Sequence, residues 1–312
     1  MNIGIHHQNM RINTLTIAAA LLLNSISPVF GQACSLDDTS EIVENSHAII
    51  HDFDAHVPGC KPDFGPSGIV YHPILDRLIV ISDKGGQFAT MKTDGSEVDC
   101  RNITDALGNR PELDDYEGVT FADANDGFIY VGVESSSQDG IAIIQQVELS
   151  SATVTASWRI GFPGGIKGNR GMEGLTFVRD ASHAEGGTFF IGDQTARKVI
   201  GKCELPIRTG GDTAALYGCS VEIVPQFDEV SGLDYAADAK IGGQTGVVLL
   251  SSDEDDKIKA YTPDGAPLDW VRNLPNTSSP GQEGHAINGC ELYISSDDND
   301  ASRKIHRYRF SP

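Results

Sequence analysis

MEGLTFVR, residues 172–179, sets the fold, because its pattern returns four more times. A Ser or Glu is followed by Gly and then by a short β-type run: PSGIVYHP at 66–73, YEGVTFAD at 116–123, VSGLDYAA at 230–237 and QEGHAING at 282–289. The glycines are Gly68, Gly118, Gly174, Gly232 and Gly284, spaced by 50, 56, 58 and 52 residues. Two such recurrences could arise by chance, but five in even register mark an internal repeat.

Each copy is followed by a second apolar strand ending in an acid: RLIVISD, FIYVGVE, TFFIGD, VVLLSSD and ELYISSD. A third follows (QFATMKTDG, IAIIQQVEL, RKVIGKCEL, KIKAYTPDG, KIHRYRF), and most units show a fourth, such as TVTASWRI and PLDWVRNL. Val, Ile, Tyr and Phe dominate, and Asp-Gly marks turns. No helical period of useful length appears. Four antiparallel strands per repeat make an all-β chain, a five-bladed β-propeller, with a six-bladed ring as the alternative. The last unit lacks a fourth strand, and the strand-like HAIIHDF at 47–53 is placed to supply it and close the ring.

In a propeller the repeat-initiating strands line the central channel. A Gly there avoids a side-chain clash where backbones crowd. The residue before each Gly then projects at the channel mouth: Ser67, Glu117, Glu173, Ser231 and Glu283. Three carboxylates on one axis repel and raise each other's pKa. A hard cation relieves that. Calcium, with six to eight flexible oxygen ligands, suits the set best and magnesium second. No His or Cys set for zinc or copper is present.

The strand-two acids Asp83, Glu134, Asp193, Asp253 and Asp297 belong on the same face, joined by Asp114, Asp115, Asp228 and Glu229. They could bind a second metal or act as general bases, or simply cap their hairpins. Lys84, Lys167, Arg170 and Arg197 are the positive groups in matching loops, and Arg170 stands nearest a ring Glu in sequence as a candidate substrate contact or a partner for an Asp. His285, two residues past Glu283, shares its strand face and reads as a channel or core histidine. GxSxG, HExxH and P-loop motifs are absent. Asn102 and Asn276 begin glycosylation-type triplets.

The chain has 312 residues, 39% apolar and 21% charged, with a net charge of −21. That composition is globular and argues against nucleic-acid binding. The apolar run LTIAAALLL at 15–23 follows Arg11, is too short to span a membrane, and leads to small residues at Gly31 and Ala33. It reads as a signal peptide over 1–33, leaving 34–312 as one exported domain, periplasmic or extracellular, with no membrane span. Lipidation at Cys34 is disfavoured by Gly31, where a lipobox has Leu. All six cysteines follow the leader, and an even number in an exported chain favours disulfides. Cys203 and Cys219 flank a turn and are the best pair. Cys34, Cys60, Cys100 and Cys290 could pair in three ways.

The order SGIVY, DYEGVTF, NRGMEGLTF, EVSGLDY and QEGHAI, with the strands that follow, resembles the SdiA-regulated, YjiK-like family of exported β-propellers over nearly all of the chain past the leader. The resemblance implies a central calcium site and no settled activity. The Ser, Glu, Glu, Ser, Glu ring also looks like that of calcium-activated nucleotidases (apyrases), which implies those five residues as a metal shell. Phytase-like propellers are a looser likeness. Two functions follow as expectations. One is a monomeric binding or scaffold module whose acidic channel face takes a small molecule or protein. The alternative is a calcium-dependent hydrolase of phosphate esters or nucleotides.

Overall fold

The computed structural model describes residues 36–43, 45–109, 115–134, 141–161, 171–193, 200–210, 215–225, 227, 229–274, 281–297 and 303–311. The leader, Cys34, Asp114, Lys167, Arg170, Arg197, Asp228 and the Asn276 triplet lie outside the described residues. Residues from Cys34 to Pro312 form one compact unit.

Among the described residues there is no helix, and twenty strands fall into five consecutive antiparallel groups of four. The first is β2 (Pro66–His72), β3 (Arg77–Ser82), β4 (Gln87–Met91) and β5 (Asp99–Asn102). The second is β6 (Tyr116–Thr120), β7 (Phe128–Val133), β8 (Ile141–Glu148) and β9 (Thr153–Gly161). The third is β10 (Met172–Arg179), β11 (Gly187–Asp193), β12 (Ile200–Cys203) and β13 (Leu216–Ile223). The fourth is β14 (Gly232–Ile241), β15 (Gln244–Ser252), β16 (Lys257–Tyr261) and β17 (Pro267–Asn273). The last combines β18 (Gln282–Asn288), β19 (Glu291–Asp297) and β20 (Arg303–Arg309) with the N-terminal strand β1 (Ala48–Asp52), which pairs antiparallel with β20. The expected closing strand is in place. A contact absent from the sequence reading also appears: outer strands β9 and β13 pair in parallel, Leu216 opposite Arg159, joining two groups into one eight-stranded sheet.

The inner strands β2, β6, β10, β14 and β18 each pack against the next, and β18 returns to β2. The repeat glycines show why the approach is possible. A Cβ on Gly68 would lie 2.5 Å from the Glu117 carbonyl oxygen, and one on Gly118 2.5 Å from Leu175 Cβ. Gly174 would meet Leu233 Cγ at 2.8 Å, Gly232 the Gly284 Cα at 3.1 Å, and Gly284 the Gly68 Cα at 3.1 Å. Crowding, passed from each inner strand to the next around the ring, requires all five. Between the sheets the alternating strand faces bury the large side chains, with Tyr130, Trp158, Phe177 and Phe189 in one such layer and Leu249, Trp270, Leu292 and Phe310 in another. Each is worth about 1.5–3 kcal/mol or more of transfer free energy.

Cys203 and Cys219 stand directly opposite on β12 and β13 and are bonded. Cys60 bonds Cys100, tying the β1–β2 connection to β5, and Cys290 is also in a disulfide. Such bonds fit an oxidising, exported setting. No helix among the described residues is long and apolar enough to cross a membrane.

Candidate metal centre

A β-bulge sits at the mouth end of four inner strands. On β6, Tyr116 faces Val133 and Gly118 faces Gly132, so Glu117 is the extra residue. Glu173 is extra in the same way on β10, as is Glu283 on β18, while β2 slips between Pro66 and Ile69, around Ser67. A bulge frees a residue from the ladder and re-aims its side chain. Three are thereby turned together: carboxylate oxygens of Glu117, Glu173 and Glu283 lie within 4.8 Å of one another. A second trio, Asp115, Glu117 and Glu134, meets the same limit and shares Glu117.

These groups open into a cavity of about 160 Å³ lined by Ser67, Asp83, Glu117, Glu134, Glu173, Glu283 and Asp297. Glu117 and Glu173 are 8% and 7% exposed. Burial, then the charges of Glu173 and Glu283, pushes the Glu117 carboxyl well above the usual range. Burial, then Glu283 and Glu134, does the same to Glu173. Glu283 is pushed up to about 8 by burial, then Asp253 and Asp297. At the rim, burial lifts Asp83 to about 6 against the pull of Lys84, and burial with Glu134 lifts Asp115 to about 6. The donors are all hard oxygens, they converge, and each resists ionisation alone, so the residues fit a divalent oxygen-loving cation.

The two ring serines behave differently from the glutamates. Ser67 Oγ donates to the Glu117 carbonyl (3.1 Å) and to its Oε2. Ser231 does not line the cavity; its hydroxyl donates to Ser251 Oγ at 3.3 Å, and Ser251 Oγ lies 2.9 Å from His285 Nδ1. His285 is 1% exposed, and burial pushes its pKa down to about 3.

The expected rim acids divide. Asp83, Glu134 and Asp297 line the cavity. Asp253 instead accepts the backbone N–H groups of Gly281 (3.2 Å) and Gln282 (2.9 Å) at the entry to β18, a tie to the next group of strands where the sequence suggested a hairpin cap. Asp193 is buried at the end of β11 and does not line the cavity. Lys84 Nζ lies 3.3 Å from Asp83 and 3.4 Å from Asp297, which puts one ammonium on the rim. Ser251 and Ser295 were missed by sequence reasoning. Ser295 accepts the Gly284 N–H (3.0 Å) and donates to the Ser67 carbonyl, stitching the first inner strand to the last. The signal for both was the small hydroxyl two residues before the strand-two acid in VVLLSSD and ELYISSD.

No family model matches the chain, and no curated protein does. Among solved structures, the major Malassezia sympodialis allergen Mala s 1 is similar at 10% identity, covering 80% of this chain and 93% of that one, with a TM-score of 0.51. The Myxococcus xanthus glutaminyl cyclase covers 89% of this chain and 98% of its own at 11% identity and a TM-score of 0.49. A luciferin-regenerating enzyme covers 79% and 91% at 10% identity and a TM-score of 0.42. At these identities the likeness is one of fold, an all-β propeller.

Proposed function

We propose that the chain is an exported five-bladed propeller of the SdiA-regulated type, one domain over 34–312 behind a signal peptide, whose carboxylate ring holds calcium. In this reading the acidic mouth is a docking face for a small molecule or protein. The observation that carries it is the convergence of Glu117, Glu173 and Glu283 within 4.8 Å at a largely buried site. Burial and mutual repulsion oppose ionisation of all three unless a cation joins them. The ring oxygens, with Ser67 beside them and water in the cavity, match the six to eight ligands of calcium better than the tight octahedron of magnesium.

Metal-stripped protein titrated with calcium should unfold at higher temperature. A hundredfold excess over the dissociation constant adds about 2.7 kcal/mol. Magnesium should give less, and Glu117→Gln and Glu283→Gln should give no rise. Equal, null responses to both ions in the unmutated protein would overturn the reading.

A calcium-dependent phosphoester hydrolase is the second reading, favoured by the Lys84 ammonium on the rim and by the space left beside one ion. A bound cation would supply Lewis acidity and a more acidic water. Asp83 or Asp115, each with a pKa near 6, could take a proton from that water. Calcium-dependent turnover lost in Glu173→Gln, with the fold intact, is the sign to look for; inertness across a broad phosphoester panel removes this reading.

A further inference from the structure

Beneath the ring lies a small space walled by the inner strands. The residue after each repeat glycine borders it: Ile69, Val119, Leu175 and Leu233 in four groups, each packed into its own core between neighbouring sheets, and His285 in the fifth. The void measures about 10 Å³ and is also bordered by Glu117, Glu173 and the five glycines. About 10–15 Å³ is the least that admits one water, and a water there needs two to four polar partners.

His285 offers one. Its Nδ1 is engaged by Ser251, but its Nε2 is buried and has no hydrogen-bond partner. A buried imidazole nitrogen left bare costs stability, and four of five repeats avoid that cost with an aliphatic side chain. When Ser231 donates to Ser251 and Ser251 donates to Nδ1, the imidazole proton sits on Nε2, and this is the tautomer the proposal uses. Ser231, the ring position that does not face the mouth, thus stands at the head of a chain ending at the void.

We propose that this void is a one-water site, in which the water accepts from His285 Nε2–H and offers its other lone pair to a cation held by the ring. His285 is then a positioning residue for the metal, acting through the water. This rests on the ring being a cation site, though the water itself does not. Outer-shell partners of this kind typically change metal affinity 10–100-fold.

The experiment pairs crystal structures of metal-free and calcium-loaded protein, at a resolution that shows waters, with calorimetric calcium titration of His285→Leu and His285→Gln. Density is expected in the void next to Nε2 in both structures, and within about 2.3–2.6 Å of the ion in the loaded one. His285→Leu, which copies the other repeats, should raise the calcium dissociation constant at least tenfold while leaving the metal-free melting temperature unchanged or higher; His285→Gln should recover part of the affinity. An empty void, or a His285→Leu protein that binds calcium as tightly as its parent, overturns the proposal and leaves the ring site standing. Water in the void of a protein that binds no calcium would instead remove the metal reading and the water's role as a ligand with it.

Discussion

Glu173 shows what the ring does to a single side chain. It is buried, faces two other carboxylates of the ring, and has its pKa raised well above the ordinary range, first by burial and then by Glu283. An acid whose pKa is higher in the folded than in the unfolded chain binds more protons when folded, so stability falls as pH climbs between the two values. For the metal-free protein the window opens near 4.5, the ordinary value of a glutamate, and, for Glu283, runs to about 8. Melting temperature without metal should therefore be higher at pH 5 than at pH 8, and calcium should raise it more at pH 8. Glu173→Gln removes one of the clashing charges, so without metal it should melt above the parent at pH 8, yet respond weakly to calcium. Differential scanning calorimetry across that range checks both; a variant that melts lower than its parent at pH 8 without metal would contradict the electrostatic account. The ring could be read from sequence because each member precedes a repeated glycine. The fate of Ser231 could not, since its hydroxyl answers to Ser251 on the neighbouring strand, a relation set by register and not by spacing along the chain.

At the scale of the strand, glycine and bulge work as a pair. The bulge turns the preceding side chain toward the axis, and the bare Cα lets the next inner strand come close enough for the ring to form. Gly118→Ala should accordingly be costly. Its Cβ would stand 2.5 Å from Leu175 Cβ and 2.7 Å from Leu175 N, and overpacking of this kind typically costs about 1–3 kcal/mol. Gly108→Ala is the matching control, a turn glycine at φ +82° with no atom within 4 Å, where only backbone strain is paid. Urea midpoints should drop further for Gly118→Ala, and calcium affinity should drop with them because Glu117 is displaced. Similar midpoints for the two variants would mean the inner strands yield more easily than their spacing suggests. The glycines were legible as a repeat and their crowding as its reason, but the bulges were not. One extra residue leaves no mark in a strand whose partner is known only after folding. The parallel β9–β13 contact was hidden for the same reason, joining Arg159 to Leu216 across a separation that carries no pattern.

Over the whole molecule the ring is closed by sequence-distant ends. β1 completes the last sheet against β20, and the segment before it continues the clasp: Val43 N donates to the Arg309 carbonyl (2.8 Å), Ile42 bridges Phe310, and Ser311 N donates to the Glu41 carbonyl (2.7 Å). Further back, Asp37 bridges Lys240, and its carbonyl accepts the Trp270 indole N–H at 3.1 Å, so the same segment also grips the fourth sheet. The closing strand was foreseen because HAIIHDF at 47–53 reads as a strand outside the repeats and the last repeat shows three strands of its own. The grip on the fourth sheet was not, because it joins residues more than 200 positions apart, the Trp270 indole and the Arg272 guanidinium reaching carbonyls of Asp37, Asp38 and Ser40. If closure holds the ring together, cutting the clasp should loosen the carboxylate ring. A chain lacking everything up to Phe53 leaves β20 as an open edge and exposes the Phe64 face that Phe53 covers. It should lose several of the 5–15 kcal/mol typical of a domain and its single cooperative transition. A milder variant, Trp270→Phe, keeps the ring but removes the indole donor from Asp37, and should cost about 0.5–1.5 kcal/mol with calcium affinity unchanged. Urea unfolding followed by tryptophan fluorescence and by circular dichroism separates the cases. Coincident transitions with an unshifted midpoint in the truncated chain would show that the remaining strands hold the ring without the clasp.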